Sequence, residues 1–310
     1  MAARKKLQPA VRYLRYELTN SGTPGNETSH FIDLAKDLSA VNRRLYRQGR
    51  DYHVKKITIV SSNTPNSMAG AENRVSVSTI PQSWSAQGAW KRGFNTWKLM
   101  NKEATHNLTN DISGTWSDFK VYMSNDHRGG TVLTPKDNGG NSVEAGEWTY
   151  TVLISPDGTT SDDSFAIHML GDSVGSAGAW TSVGLIKSFG ETRATVDTDQ
   201  PNVPGEASED PLLNVFDYGT TVDEVIGRLE TENDNPPYSA NKYVGSEDNM
   251  PKPIVVADST IVDGRCIMGG FSAMLGLLEI ESKSPVASDV YSVLVELAPG
   301  KYRGIAAEAF

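Results

Sequence analysis

The chain has 310 residues, 38% of them hydrophobic, with 28 glycines, 15 prolines, a single cysteine and a formal net charge of −9. This composition excludes whole-chain disorder, a disulfide framework and a Cys-based zinc site, and it leaves room for a sizeable core. No stretch approaches the ~20 apolar residues of a membrane-spanning helix, and Met1-Ala2-Ala3-Arg4-Lys5-Lys6 lacks the apolar run of a secretory signal, so a soluble protein made in a cytoplasm is expected.

The charge is unevenly divided. Residues 1–60 hold twelve Lys/Arg against five Asp/Glu, a balance of +7, whereas residues 201–250 hold two against eleven, a balance of −9. A chain with one basic end can face a polyanion there and stay soluble elsewhere.

Residues 1–9 read as a basic, flexible arm and residues 10–310 as one domain. Ala10–Leu18 alternates as a strand, with Val11, Tyr13, Arg15 and Glu17 on one face and Arg12, Leu14, Tyr16 and Leu18 on the other. Over 28–48 the spacing of Phe31, Leu34, Ala35, Leu38, Val41, Leu45 and Tyr46 predicts a helix capped by Thr28 or Ser29 and stopped by Gly49. Arg43, Arg44, Arg47 and Arg50 gather at its C-terminal end, where the helix dipole favours cations. They read either as a solvated helix terminus or as a phosphate-facing patch.

His53–Ser62 and Arg74–Ile80 are predicted strands, and Pro81 precedes a helix over Ser83–Lys102. Its stripe of Trp90, Phe94 and Trp97 reads as core packing ahead of a base-stacking platform. Strands are predicted at Thr115–Ser124, Thr131–Thr134, Glu147–Ser155, Ser164–Leu170 and Ser182–Phe189, separated by turns such as Asn125–Gly130. An acidic loop over Val196–Pro211 leads to a helix over Leu212–Glu232. Pro253–Val262, Phe271–Glu281 and Val290–Leu297 close the chain as strands, with a short one near Cys266.

Ten or so strands with helical insertions near 28–48, 83–102 and 212–232 fit an all-β fold, a jelly-roll β-sandwich with long loops. A double jelly roll, which needs about sixteen strands, is the alternative.

Catalytic and metal motifs are scarce. Gly171-Asp172-Ser173-Val174-Gly175 matches the nucleophile-elbow pattern, but that arrangement supplies its histidine later in the chain, and His30, His53, His106, His127 and His168 all precede Ser173. A turn is the expected structure there. No two histidines stand three to five residues apart, no glycine run has P-loop spacing, and neither Asp157/Asp162/Asp163 nor Asp137/Asn138/Glu144 has EF-hand spacing. Neither a metal nor a cofactor nor an enzymatic activity is expected. Cys266 reads as a buried structural thiol.

Four phrases carry a likeness: Asn42-Arg43-Arg44-Leu45-Tyr46-Arg47-Gln48-Gly49, Gly88-Ala89-Trp90-Lys91-Arg92-Gly93-Phe94, Asn233-Asp234-Asn235-Pro236-Pro237-Tyr238 and Pro299-Gly300-Lys301-Tyr302-Arg303-Gly304. In these the chain resembles capsid proteins of small circular single-stranded DNA viruses. The resemblance implies a jelly-roll subunit that self-assembles into an icosahedral shell in the virion, its basic arm turned toward the packaged genome. Many such proteins carry a long Arg-rich arm, whereas this one has only Arg4, Lys5 and Lys6. Genome contact is then either slight or spread over Arg12, Arg15, Arg43, Arg44, Arg47 and Arg50. Two rivals are a β-sandwich carbohydrate-binding or attachment protein, marked by Trp116, Trp148 or Trp180 in a shallow groove, and a polysaccharide-cleaving enzyme whose carboxylates are paired in space.

Overall fold

The computed structural model describes residues 9–61, 73–106, 117–155, 163–176, 179–191, 253–261 and 264–310. Arg4, Lys5, Lys6, the loop 196–211 and the helix expected over 212–232 lie outside them. Among the described residues the chain is mostly β, in three sheets with four helices.

Alternation builds the first sheet. β1 (Tyr13–Thr19) buries Leu14, Tyr16 and Leu18 and leaves Tyr13, Arg15 and Glu17 outward. It pairs antiparallel with β15 (Val290–Leu297), which pairs in turn with the long β3 (Asp51–Ser61). On the far side of β3 lie β12 (Arg265–Met268), β13 (Phe271–Met274) and the short β17 (Ala307–Glu308). β16 (Pro299–Tyr302) leads into that last strand.

The second sheet runs β11 (Ile254–Thr260), β4 (Arg74–Thr79), β14 (Leu277–Lys283), β2 (Glu27–Asp33) and β6 (Thr131–Val132), antiparallel except for the final pair. Tyr16, Ile57, Ile59, Val293 and Val295 from the first sheet meet Ile32, Val75, Val77, Leu278 and Ile280 from the second in one core. This is a β-sandwich, closed at one end by Leu34, Ala35 and Leu38 of α1 (Leu34–Asn42).

Between β4 and β11 the chain builds a lobe. Its mixed sheet comprises β5 (Tyr122–Ser124), β7 (Val152–Ser155), β8 (Asp163–Leu170), β9 (Val174–Ser176) and β10 (Ala179–Gly184), with β5 and β10 parallel to β8. α2 (Trp84–His106) and α4 (Leu185–Glu191) join it in a second core that contains Ile167, Met169 and Ile186. There Trp90 stacks on Phe94 at 5.2 Å, and Trp90, Phe94 and Trp97 all meet Phe119. The aromatic stripe of α2 is therefore packing.

Several expected elements differ. The helix expected over 28–48 is a strand to Asp33, a nine-residue helix and then irregular chain. β2 pairs with β14 over its whole length and buries Ile32 in one core and Phe31 in the other, so both faces are buried from His30 to Asp33 and the period of two is erased. Asp33, not Thr28 or Ser29, caps α1, and the left-handed Arg43 (φ 51°) ends it before Leu45 and Tyr46.

Ser182–Phe189 is strand only to Gly184 and then helix. Within Thr115–Ser124 and Glu147–Ser155, among the described residues, only the last three and last four residues pair as strand. Asn125–Gly129, expected as a turn, is a short helix, α3, capped by Ser124.

Phe271–Glu281 is two strands joined by Leu275 and Gly276, both at positive φ. A Cβ on Gly276 would stand 2.9 Å from the Tyr52 ring and 3.2 Å from Leu34 Cβ. Gly276→Ala is therefore expected to lower unfolding stability by about 2–4 kcal/mol, the strain of a left-handed L-residue plus overpacking. Gly269→Ala, which meets nothing within 4 Å, is the control; urea denaturation checks both.

Candidate functional site

A cleft of about 600 Å³ lies where the sandwich meets the lobe, with Trp97, Asp118, Lys120, Glu147 and Trp148 in its walls. A recess of about 210 Å³ adjoins it, sharing Leu45, Glu147 and Trp148 and adding Lys36, Arg43 and Arg44. Trp148 is thus a wall common to both.

The position of Trp148 is fixed from behind. Its Nε1 donates to Asp33 Oδ2 (2.9 Å), which also accepts from Gln48 Nε2 (2.9 Å) and the Tyr150 hydroxyl (3.1 Å). Asp33 Oδ1 accepts the Lys36 N–H as the cap of α1 (3.1 Å). Gln48 Oε1 in turn accepts the Val121 N–H (2.8 Å), which ties the irregular chain after α1 to the lobe. In front, the Lys120 ammonium stands 4.8 Å from the Trp148 ring centre, a cation–π contact.

Behind the cleft, burial dominates the electrostatics. Burial pushes the Asp33 carboxyl up, partly offset by its hydrogen bonds. Asp37 is pushed up to about 7 by burial, against the lowering effects of Lys36 and the Tyr16 hydroxyl, which donates to Oδ2 at 2.7 Å. His127 is pushed down to about 3 by burial and then by Lys36; its Nδ1 accepts the Met123 N–H, so the ring is neutral. In the cleft wall Asp118 is raised by burial and opposed by Arg47 at 3.4 Å.

The expected phosphate-facing residues separate into groups. Arg43 and Arg44 stand together on the recess, and Arg44 Nη1 donates to the Pro9 carbonyl (3.2 Å), where residues 9–11 lie along the end of α1. Arg47 reaches the cleft wall through Asp118. Arg50 is turned over the Tyr302 ring at 3.8 Å. Arg12 lies beside Tyr13, and its carbonyl accepts the Leu297 N–H. Arg15 is on the outward face of β1, paired with Glu17. Lys36, Lys120 and the Asp33–Gln48 bracket were not singled out from sequence.

The other motifs have structural roles. Ser173 lies in irregular chain between a bend at Gly171 and β9, and its hydroxyl accepts the Gly184 N–H (3.2 Å). His168 Nδ1 and the Ser182 hydroxyl, both buried, are 2.6 Å apart, and burial lowers the imidazole. Asp137 folds onto Asn141 in a turn. Among the described residues no three His, Cys, Asp or Glu side chains converge to hold a metal, and no helix is long and apolar enough to cross a membrane. Cys266 is buried. Of the marker tryptophans, Trp148 lines the cleft, Trp180 lies in β10 opposite Gly175, and Trp116 is outside the described residues. Comparison with known proteins finds no matching family model, no matching curated protein and no matching solved structure.

A carboxyl raised in the folded state holds a proton that the unfolded chain has lost, so Asp37 contributes less to stability as pH rises from about 4 toward 7. Asp37→Asn removes that dependence. The stability of the variant relative to the parent is expected to improve across that window, by at most about 1.4 kcal/mol per pH unit. Urea midpoints at stepped pH check it.

Proposed function

We propose that the protein is a jelly-roll capsid subunit that assembles with copies of itself around a nucleic acid, without catalysing a reaction. The observation that carries this reading is strand order. Count the sandwich strands as β1, β2, β3, β4, β11, β12 with β13, β14 and β15, the two strands paired to β3 being one interrupted strand. With the two-residue edge strands β6 and β17 set aside, one sheet then runs first–eighth–third–sixth and the other fifth–fourth–seventh–second. This interleaving of early and late strands supports a double-sheet roll, an architecture of viral coats and of lectins. The lobe sheet, mixed and packed with helices, stands as an insertion between the fourth and fifth strands, which favours a single roll over a double one.

An exposed surface supports self-association. On the outward face of the first sheet Leu294 and Ile267 flank Thr58, with Val60 diagonal to both and Val290 beyond. Ile267 is 56% exposed and Val60 44%. Apolar side chains grouped on one sheet face mark an interaction surface, and homo-oligomers are the commonest assemblies. Arg43 and Arg44, beside the segment that continues into Arg4, Lys5 and Lys6, supply charge for phosphates.

Full-length protein purified from a heterologous host is expected to elute as large particles, visible by negative stain, with excess absorbance at 260 nm. Small oligomers alone, at every salt concentration and with nucleic acid added, would reject the reading. Leu294→Lys with Ile267→Lys is expected to shift particles toward free subunits while leaving the circular dichroism spectrum unchanged.

A second reading, a carbohydrate-binding or attachment module, is favoured by Trp97 and Trp148 in one cleft with Asp118 and Thr149, since sugar faces stack on aromatic rings. Binding of neutral oligosaccharides by a non-assembling species would select it.

A further inference from the structure

We infer that the cleft and its adjoining recess are a single-stranded nucleic-acid site, in which a base takes the place of the Lys120 ammonium over Trp148 and the flanking phosphates meet Lys36, Arg43 and Arg44. The inference rests on the polyanion-facing reading above and gives it an address.

Three observations converge on it. The first is the aromatic wall. Trp148 lines both spaces, and Trp97 lines the larger one. The bracket on Asp33 anchors the indole through its N–H, so its orientation is set before any ligand arrives. Stacking on a pre-set ring loses little side-chain entropy.

The second is charge. Lys36, Arg43, Arg44 and Lys120 line these two spaces against Asp118 and Glu147, and Asp118 is already matched by Arg47. The surplus is positive, although the whole chain carries −9. Arg43 and Arg44 are exposed, so their guanidinium groups can neutralise phosphates and release counterions.

The third is position. Arg44 binds the Pro9 carbonyl, and the basic triplet Arg4, Lys5, Lys6 is only a few residues upstream in sequence. A strand held in the recess is therefore beside the attachment point of the most basic segment. The spaces, about 600 and 210 Å³, suit one or a few nucleotides and are too small for a duplex.

Glu147, exposed on the shared wall, opposes phosphate and supplies a test that does not threaten folding. Short oligothymidylate, the same strand made abasic, and heparin are titrated into the full-length protein. Intrinsic tryptophan fluorescence and the anisotropy of labelled strands are the readouts. Oligothymidylate is expected to quench tryptophan and to bind roughly tenfold or more tighter than the abasic strand, the value of one stacked base.

Glu147→Gln is expected to tighten both strands. Arg43→Asn with Arg44→Gln, where Asn tolerates the left-handed cap, is expected to weaken both and to reduce the slope of log affinity against log salt by roughly one to two. Trp148→Phe should shrink the preference for bases over abasic strand while leaving the salt slope unchanged.

Equal binding of the two strands, fluorescence that does not move, or an unaltered affinity in Glu147→Gln would overturn the inference. Tighter binding of heparin than of oligothymidylate at matched charge would also overturn it and assign the cleft to an acidic glycan. Particles that form normally while these signatures are missing refute the site and spare the coat reading. Quenching without particles does the reverse.

Discussion

The Asp33 carboxylate sits where three parts of the chain meet. It ends a sandwich strand, caps α1, and receives the side chains of Gln48, Trp148 and Tyr150, the last two from the lobe segment. A fully buried carboxylate is costly unless its lone pairs are occupied, and here four donors occupy them. Removing one donor leaves a buried acceptor short, which costs about 1–3 kcal/mol and more where charge is involved. The sandwich and its insertion are therefore joined by a set of polar contacts that is satisfied in one arrangement only.

The same bracket shapes the surface. Trp148 cannot turn away from the cleft without abandoning Asp33, and Gln48 cannot shift without releasing either Asp33 or the Val121 amide. Lys36 lies one turn into the helix that Asp33 caps, between the buried carboxylates and the open recess, 3.7 Å from Asp37. Its ammonium moderates the acids behind it and adds to the positive face in front. Core polarity and surface charge are thus set by one short stretch of chain.

Sequence patterns revealed the sandwich where one face of a strand is dry and the other wet. β1 follows its alternation closely, as does β15 from Val290 to Val295, whereas β4, whose sequence alternates, is buried on both faces after Arg74. The pattern failed at β2, whose two faces serve two cores, and at Leu275-Gly276, where a turn hides inside an apolar run. Asp33 was hidden because one carboxylate among apolar residues carries no spacing signal; its side-chain partners lie 15 to 117 positions away. A trace was present in Trp148 and Tyr150, two apart and both directed at Asp33, even though the chain there is not strand. The grouping of Arg43 and Arg44 was readable from their adjacency, whereas the diversion of Arg50 onto Tyr302 depends on the far end of the chain.

The lobe leaves the sandwich after Thr79 and returns at Ile254, and these two residues are direct partners across an antiparallel pair. Their backbones are therefore only about 5 Å apart. Besides that narrow doorway, the intervening chain meets its host at β6, which pairs with β2, at Leu133 in the sandwich core, and at the Asp33 bracket. Closing a longer excursion at a fixed doorway costs little, since the entropy grows only with the logarithm of length. Length can therefore be added to the lobe away from these contacts with little strain on the sandwich.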